Sequence, residues 1–292
     1  MKVLITGHMG FVGRHFVSYF NENKIEFTGI DIKEGNDCRD FFKKSTEQFD
    51  LIIHLAAIVG GRATIEGEPL SVATDLSIDA ELFNWAINTQ QKHIVYFSSS
   101  AAYPIRKQLI VDQYSLKESD IDLSAIESPD FTYGWAKLTG EYLAEFMRKK
   151  GVRVDVYRPF SGYGEDQDLD YPFPSFIKRV INREDPFIIW GSGNQVRDFI
   201  HIKDIIESVM YFVTLEAVPT LNLGWGRPIS FKNLAEIMFN ISGWRPKEVI
   251  CLEDKPMGVE YRCCNPSLYF EYYRPKITLE EGVKRSLEFY MK

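Results

Sequence analysis

Gly7, Gly10 and Gly13 stand between an apolar run, Val3 to Ile5, and a segment, Phe11 to Phe20, whose apolar residues recur at helical spacing. The order is a buried parallel strand, a glycine turn and a helix. Glycine in that setting allows a tight turn, lets backbone amides approach a pyrophosphate and lets the helix pack on the strand. The helix N-terminus then offers unsatisfied N–H groups to the anion. A dinucleotide is therefore the first candidate ligand. The next apolar run, Phe27 to Ile32, ends in GIDI, which places Asp31 roughly 20 residues beyond the glycines, where a carboxylate can accept hydrogen bonds from an adenosine ribose. Because a carboxylate there repels a 2′-phosphate, NAD is expected in preference to NADP.

Further apolar runs at Leu51–Leu55, Ile94–Phe97 and Val154–Tyr157 read as buried strands, and Asp79–Asn88 and Lys137–Arg148 have helical periodicity between them. This alternation describes an α/β fold built on a doubly wound parallel sheet. After Arg158–Gly164 the texture becomes polar and aromatic, with one more short strand expected at Phe187–Trp190. The expected division is a dinucleotide-binding unit over residues 1–160 and a smaller, mainly substrate-binding α/β lobe over 161–292, with part of 197–216 returning to the first unit.

Bulk properties narrow the function. A formal charge of −7 argues against nucleic acid as a general partner. No apolar stretch is long enough to span a bilayer, and no charged segment followed by a long apolar one precedes the first strand, so a cytoplasmic protein is expected. Cys38, Cys251, Cys263 and Cys264 lack CxxC pairing and are expected to be free thiols. The five histidines, at 8, 15, 54, 93 and 201, lack metal-ligand spacing, so no metal is expected.

Two stretches carry candidate chemistry. In YGWAK, Tyr133 and Lys137 are four apart, on one face of a helix. A cation beside a phenol stabilises phenolate, and a tyrosine needs such help to act as a base near neutrality. In IVYFSSSAAYP a strand runs into Ser98, Ser99 and Ser100 at its C-terminal end, the edge where ligands of open α/β sheets gather. A hydroxyl there can orient a substrate alcohol toward the tyrosine.

Together these stretches resemble the extended short-chain dehydrogenase/reductase family, specifically its nucleotide-sugar epimerases, dehydratases and reductases. TGHMGFVG, HLAA at His54–Ala57, SSSAAYP, YGWAK, RPFSGYG and WGSGNQVRDFIHIKDI fall in family order across nearly the whole chain. The resemblance implies Tyr133 as catalytic base, Lys137 as its pKa partner and an NAD-ribose ligand, and Ser99 as hydroxyl donor. Ser99 is chosen because the family's serine or threonine lies four residues before the tyrosine of its YP turn, here Tyr103; Ser98 and Ser100 remain alternatives. It further implies that Asp37 and Cys38 flank adenine, that Ala56 and Ala57 border the cofactor's diphosphate and ribose, and that Arg197 and Arg262 hold a sugar nucleotide's diphosphate. The expected cofactor site thus comprises Gly7, Gly10, Phe11, Val12, Gly13, Asp31, Ile32, Asp37, Cys38, Leu55, Ala56 and Ala57 with Tyr133 and Lys137. The expected substrate contacts are Ser100, Ser161, Tyr171, Arg197 and Arg262.

Departures from the family pattern bear on the reaction. Ser161 stands where an asparagine often touches substrate, and Asp75 where an asparagine is usual early in its helix. The stretches AAIVGGR, SSSAAYP and YSLKESD are similar to GDP-mannose 3,5-epimerase and GDP-fucose synthase, which move protons with a cysteine where this chain has Ala101 and a lysine or histidine where it has Tyr171. The Asp-Glu pair of the 4,6-dehydratases is replaced by Ser100 and Ala101. What remains needs only serine, tyrosine, lysine and NAD: oxidation at a sugar carbon and return of hydride. An NAD-dependent nucleotide-sugar epimerase acting at C4 is the expected activity. A nucleotide-sugar dehydrogenase or 4-keto-reductase is the alternative, and a non-catalytic NAD-binding regulator a further one. By the same resemblance a homodimer is expected.

Overall fold

The computed structural model describes residues 1–60, 67–169, 171–255 and 257–291. Gly61 and Arg62, part of the AAIVGGR stretch, lie outside the described residues. Six parallel strands form the main sheet in the order Phe27–Ile30, Val3–Thr6, Leu51–His54, His93–Phe97, Arg153–Pro159, Leu221–Leu223. The central strands Val3–Thr6, Leu51–His54 and His93–Phe97 are short, buried along their length and rich in branched apolar residues. Alternate residues feed two cores: Val3, Ile5, Leu51 and Ile53 pack with Phe16 and Phe20, while Leu4, Ile52, Ile94 and Tyr96 pack with Leu82, Trp85 and Ala144. Burial on both faces is why these strands read as continuous apolar runs.

The chain winds to one side of Val3–Thr6 with its second strand and to the other with its third, so the order reverses between Val3–Thr6 and Leu51–His54. A crevice opens at such a reversal, beyond the carboxyl ends of the strands. The glycine loop, Asp31, Leu55–Ala57 and Ser98–Ser100 all follow those ends directly.

Elements after residue 160 serve both parts of the molecule. The helix Ile202–Val213 lies on the first core through Ile202, Ile205, Ile206, Val209 and Phe212. The returning chain extends past 197–216, because Leu221–Leu223 adds the last strand of the main sheet. Three residues between loops carry too little pattern to reveal a strand. The helices Pro172–Ile181, Phe231–Ser242 and Leu279–Tyr290 share a separate core with Phe187, Ile189 and Phe199. A four-stranded sheet, Ile229–Ser230, Val196–Arg197, Tyr261–Cys264 and Ser115–Leu116, joins the parts, since Ser115–Leu116 comes from the first.

Candidate active site

The glycine loop is built by close approach. Gly7 adopts φ +73°, and a Cβ there would lie 2.9 Å from the Ala56 amide nitrogen; a Cβ on Gly13 would overlap the Gly7 carbonyl oxygen. Gly10 caps the helix Phe11–Glu22, and no side-chain cap hydrogen bond meets its first-turn amides. Phe11 and Val12 open that helix, and Leu55 and Ala56 are held beside the loop by hydrogen bonds from their amides to Thr6.

Asp31 is buried and accepts two backbone hydrogen bonds, on Oδ2 from Met9 at 2.8 Å and on Oδ1 from Lys33 at 2.9 Å. It fixes both the glycine loop and its own turn. A carboxylate offers about four lone-pair sites, so acceptor capacity remains for a ribose hydroxyl. Ile32 beside it is exposed, Asp37 caps the helix Cys38–Lys44, and Cys38 is buried. The Arg39 guanidinium bonded to Asp37 holds that carboxyl below the usual range, while burial pushes the Cys38 thiol up to about 12. The cradle of close glycines, open helix N-terminus and carboxylate fits a dinucleotide. NADH is expected to bind at least about tenfold more tightly than NADPH, since setting like charges together costs several kcal/mol. Direct titration of both reduced cofactors checks this, and tighter binding of NADPH would contradict it.

Tyr133 and Lys137 lie in the helix Phe131–Lys149, whose start is anchored to the serine turn. The Asp130 amide donates to the Ala101 carbonyl at 3.0 Å, and Gly134 approaches that carbonyl so closely that a Cβ would overlap it. Glycine after the tyrosine thus brings the phenol to the serines. The Ser99 hydroxyl accepts from the Ala101 amide at 3.1 Å and lies close enough to Tyr133 to draw its phenol down against burial. Ser98 donates instead to buried Glu141, and Ser100 is buried in the following turn. Of the three, Ser99 is the one whose side chain acts on the Tyr133 phenol.

One expectation changes. The resemblance makes Lys137 the group that lowers the Tyr133 pKa, yet the phenol is pushed above the ordinary tyrosine value, by burial first and then by the charges of Asp75 and Asp79. The physical reason is the company Lys137 keeps: its ammonium lies 5.3 Å from the ring centre of Tyr96 and 5.7 Å from that of Tyr133, and both carboxylates feel its charge. Asp79 is held below the usual carboxylate range by His54, Lys137 and Tyr96, although burial opposes them. The His54 ring reaches Asp79 at 3.2 Å and Thr6 at 2.9 Å, and the Tyr96 hydroxyl donates to Asp79 at 2.5 Å. This buried chain of Thr6, His54, Asp79 and Tyr96 is absent from the sequence reading; the histidine of HLAA after a strand is its available signal.

The substrate candidates fall in separate places. Arg197 and Arg262 are register partners on adjacent parallel strands, which sets two guanidinium-bearing residues side by side. Arg262 Nη2 donates to Asp130 at 2.6 Å and its Nε to Gln108 at 2.6 Å, whereas Arg197 donates to the carbonyls of Val196, Val259 and Met257. Ser161 opens the strand Ser161–Tyr163, and Tyr171 caps the helix Pro172–Ile181. Among the described residues no cluster of three or more histidine, cysteine, aspartate or glutamate side chains could hold a metal, and no helix is long and apolar enough to cross a membrane.

The family model described as NAD dependent epimerase/dehydratase matches residues 3–224. The chain belongs to this family. NAD is accordingly its cofactor. GDP-L-colitose synthase of Yersinia pseudotuberculosis is 23% identical over 312 residues, covering 100% of this chain and 98% of that protein. The fold is similar to that of Thermus thermophilus UDP-glucose 4-epimerase in complex with NAD, with a TM-score of 0.83 and 19% identity over 100% of this chain and 99% of that one. It is similar also to GDP-mannoheptose C4 reductase from Campylobacter jejuni with NADP bound, with a TM-score of 0.82 and 19% identity over 100% of this chain and 98% of that one. Family membership covers epimerases, dehydratases and reductases alike.

Proposed function

We propose that the protein is an NAD-dependent nucleotide-sugar epimerase that oxidises a sugar hydroxyl, most simply at C4, and returns the hydrogen to the opposite face. The observation that carries this reading is the seating of the Tyr133 helix on the serine turn at the carboxyl edge of the sheet, through Asp130 and Gly134 on the Ala101 carbonyl. NAD, when bound, supplies a reversible two-electron acceptor to the sugar carbon. The chain's part is acid–base and binding chemistry. Ser99 orients the sugar hydroxyl, Tyr133 takes its proton and later returns it, and Lys137 supplies positive charge next to the phenol.

Arg197 and Arg262 are proposed for the substrate diphosphate, because guanidinium forks match phosphate oxygens. Ser100, Ser161 and Tyr171 are proposed contacts for the sugar. Ala101 is buried and carries no ionisable group where an acid or base at C3 or C5 would be needed, which favours simple oxidation and return. If the keto-sugar leaves before the hydrogen returns, the same residues make a dehydrogenase or, in reverse, a 4-keto-reductase.

A cytoplasmic homodimer is part of the proposal. The thiols are free in the described structure, as a reducing compartment favours. Trp135, Tyr142 and Phe146 expose aromatic surface along one stripe of the catalytic helix, beside Leu76 and Ile87 of the helix Val72–Asn88. A second copy pairing the same two helices would cover that stripe.

The test is a panel of UDP-, GDP-, CDP- and dTDP-sugars added to the NAD-loaded enzyme. The expected result is thermal stabilisation by one nucleotide class, transient near-ultraviolet absorbance of reduced nicotinamide, and a product inverted at one carbon. Binding with neither reduction nor product would instead support a regulator.

A further inference from the structure

Asp75 stands in the first turn of the helix Val72–Asn88 and is 3% exposed. Its Oδ1 accepts from the Ile58 amide at 2.5 Å, while Oδ2, equally buried, has no hydrogen-bond partner among the described residues. An amide side chain would keep the Ile58 bond and carry no charge. The carboxylate is therefore more than that bond requires.

Its surroundings are the site itself. From the catalytic helix it faces Tyr133 and Lys137, and one turn along its own helix lies Asp79, bonded to His54 at the end of one strand and to Tyr96 on the next. The Glu141 charge reaches Tyr96, and the Ser99 hydroxyl meets Tyr133 from the serine turn. Burial raises the Asp75 carboxyl to about 6 against the pull of Ile58 and Lys137.

We propose, resting on the assignment of Tyr133 as the base, that Asp75 is a positioning residue whose carboxylate offsets the Lys137 ammonium, so that Tyr133 gives up its proton at a higher pH when Asp75 is charged. The sign follows from electrostatics. An ionised Asp75 places a further negative charge near the developing phenolate and disfavours it; a protonated Asp75 leaves Asp79 alone to oppose the Lys137 field. Base strength and proton availability at the site are thus linked through one side chain outside the Ser-Tyr-Lys set.

The experiment is an ultraviolet titration of the NAD-bound enzyme. The Tyr133 phenolate band is isolated as the difference between wild type and Tyr133→Phe, and again between Asp75→Asn and Asp75→Asn with Tyr133→Phe. Asp75→Asn is expected to lower the titration midpoint by about one pH unit. Asp75→Ser, which is too short to hold Ile58, is expected to lower it in the same direction. The rising, acidic limb of the kcat/KM profile on the substrate identified by the panel, which reports the deprotonation of the base, should move with it. An unchanged midpoint in Asp75→Asn would overturn the proposal, as would a shift in Asp75→Ser alone, which would trace the effect to the Ile58 bond. Circular dichroism and NAD affinity confirm that each variant is folded. The titration needs no sugar nucleotide, so a silent panel would count against the epimerase reading without touching this linkage.

Discussion

Replacing Tyr133 by phenylalanine is expected to lower turnover by a factor of about 10²–10⁴ or more, with NAD affinity and fold unchanged. Removing one oxygen deletes the group that exchanges a proton with the sugar hydroxyl, while the ring keeps its place against Lys137 and the Ser99 turn. Kinetics on the panel substrate read the loss, and cofactor titration reads the retained affinity. Near-normal turnover would remove Tyr133 from the chemistry and return the assignment of the base to the other groups at the sheet edge. A parallel loss of NAD binding would show that the phenol serves the cofactor and not the sugar.

The second large effect concerns stability. Arg158 and Glu141 form a buried, two-pronged ion pair between the strand Arg153–Pro159 and the catalytic helix: Nε to Oε1 at 2.9 Å and Nη2 to Oε2 at 2.6 Å. Nη1 of Arg158 donates to the Tyr103 hydroxyl and to the Glu118 carbonyl, Tyr103 donates to Asn222, and Ser98 donates to Glu141. All three nitrogens of the guanidinium are met inside the protein. Glu141→Ala leaves the guanidinium buried without its counter-charge and is expected to cost about 3–5 kcal/mol in denaturant unfolding. Replacing both residues by apolar ones of similar volume should cost far less, because no lone charge remains. A loss below about 1 kcal/mol for Glu141→Ala would mean that water enters and solvates Arg158. The network also locates the tyrosine, since Ser98 at one end adjoins Ser99 and Glu141 lies two turns along the helix from Tyr133.

These two cases show what kind of information the sequence holds. Strands buried on both faces leave apolar runs, and a helix against a sheet leaves its periodicity, so Val3–Thr6, Phe11–Glu22 and Phe187–Trp190 are legible in short windows. The Tyr133–Lys137 pair is legible too, because four residues on one helix fix its geometry. Arg158 with Glu141, and Asp130 with Arg262, are not: each joins residues from different elements, and nothing local marks which carboxylate meets which guanidinium. Leu221–Leu223 is hidden because a three-residue strand has no period to detect. The raised phenol escapes the sequence for a related reason. Spacing tells where Lys137 sits but not that Asp75 and Asp79 face the same ammonium from the neighbouring helix.

The proposed reaction turns on whether hydrogen leaves and rejoins a single carbon without meeting water. Turnover of the panel substrate by the NAD-loaded enzyme in deuterated water, followed by NMR, measures this directly. The predicted product is inverted at C4 and carries no solvent deuterium at C3, C4 or C5, since buried Ala101 has no proton to exchange. Deuterium at C3 or C5 would contradict that reaction and would point to a second proton donor, with Tyr171 the first residue to replace.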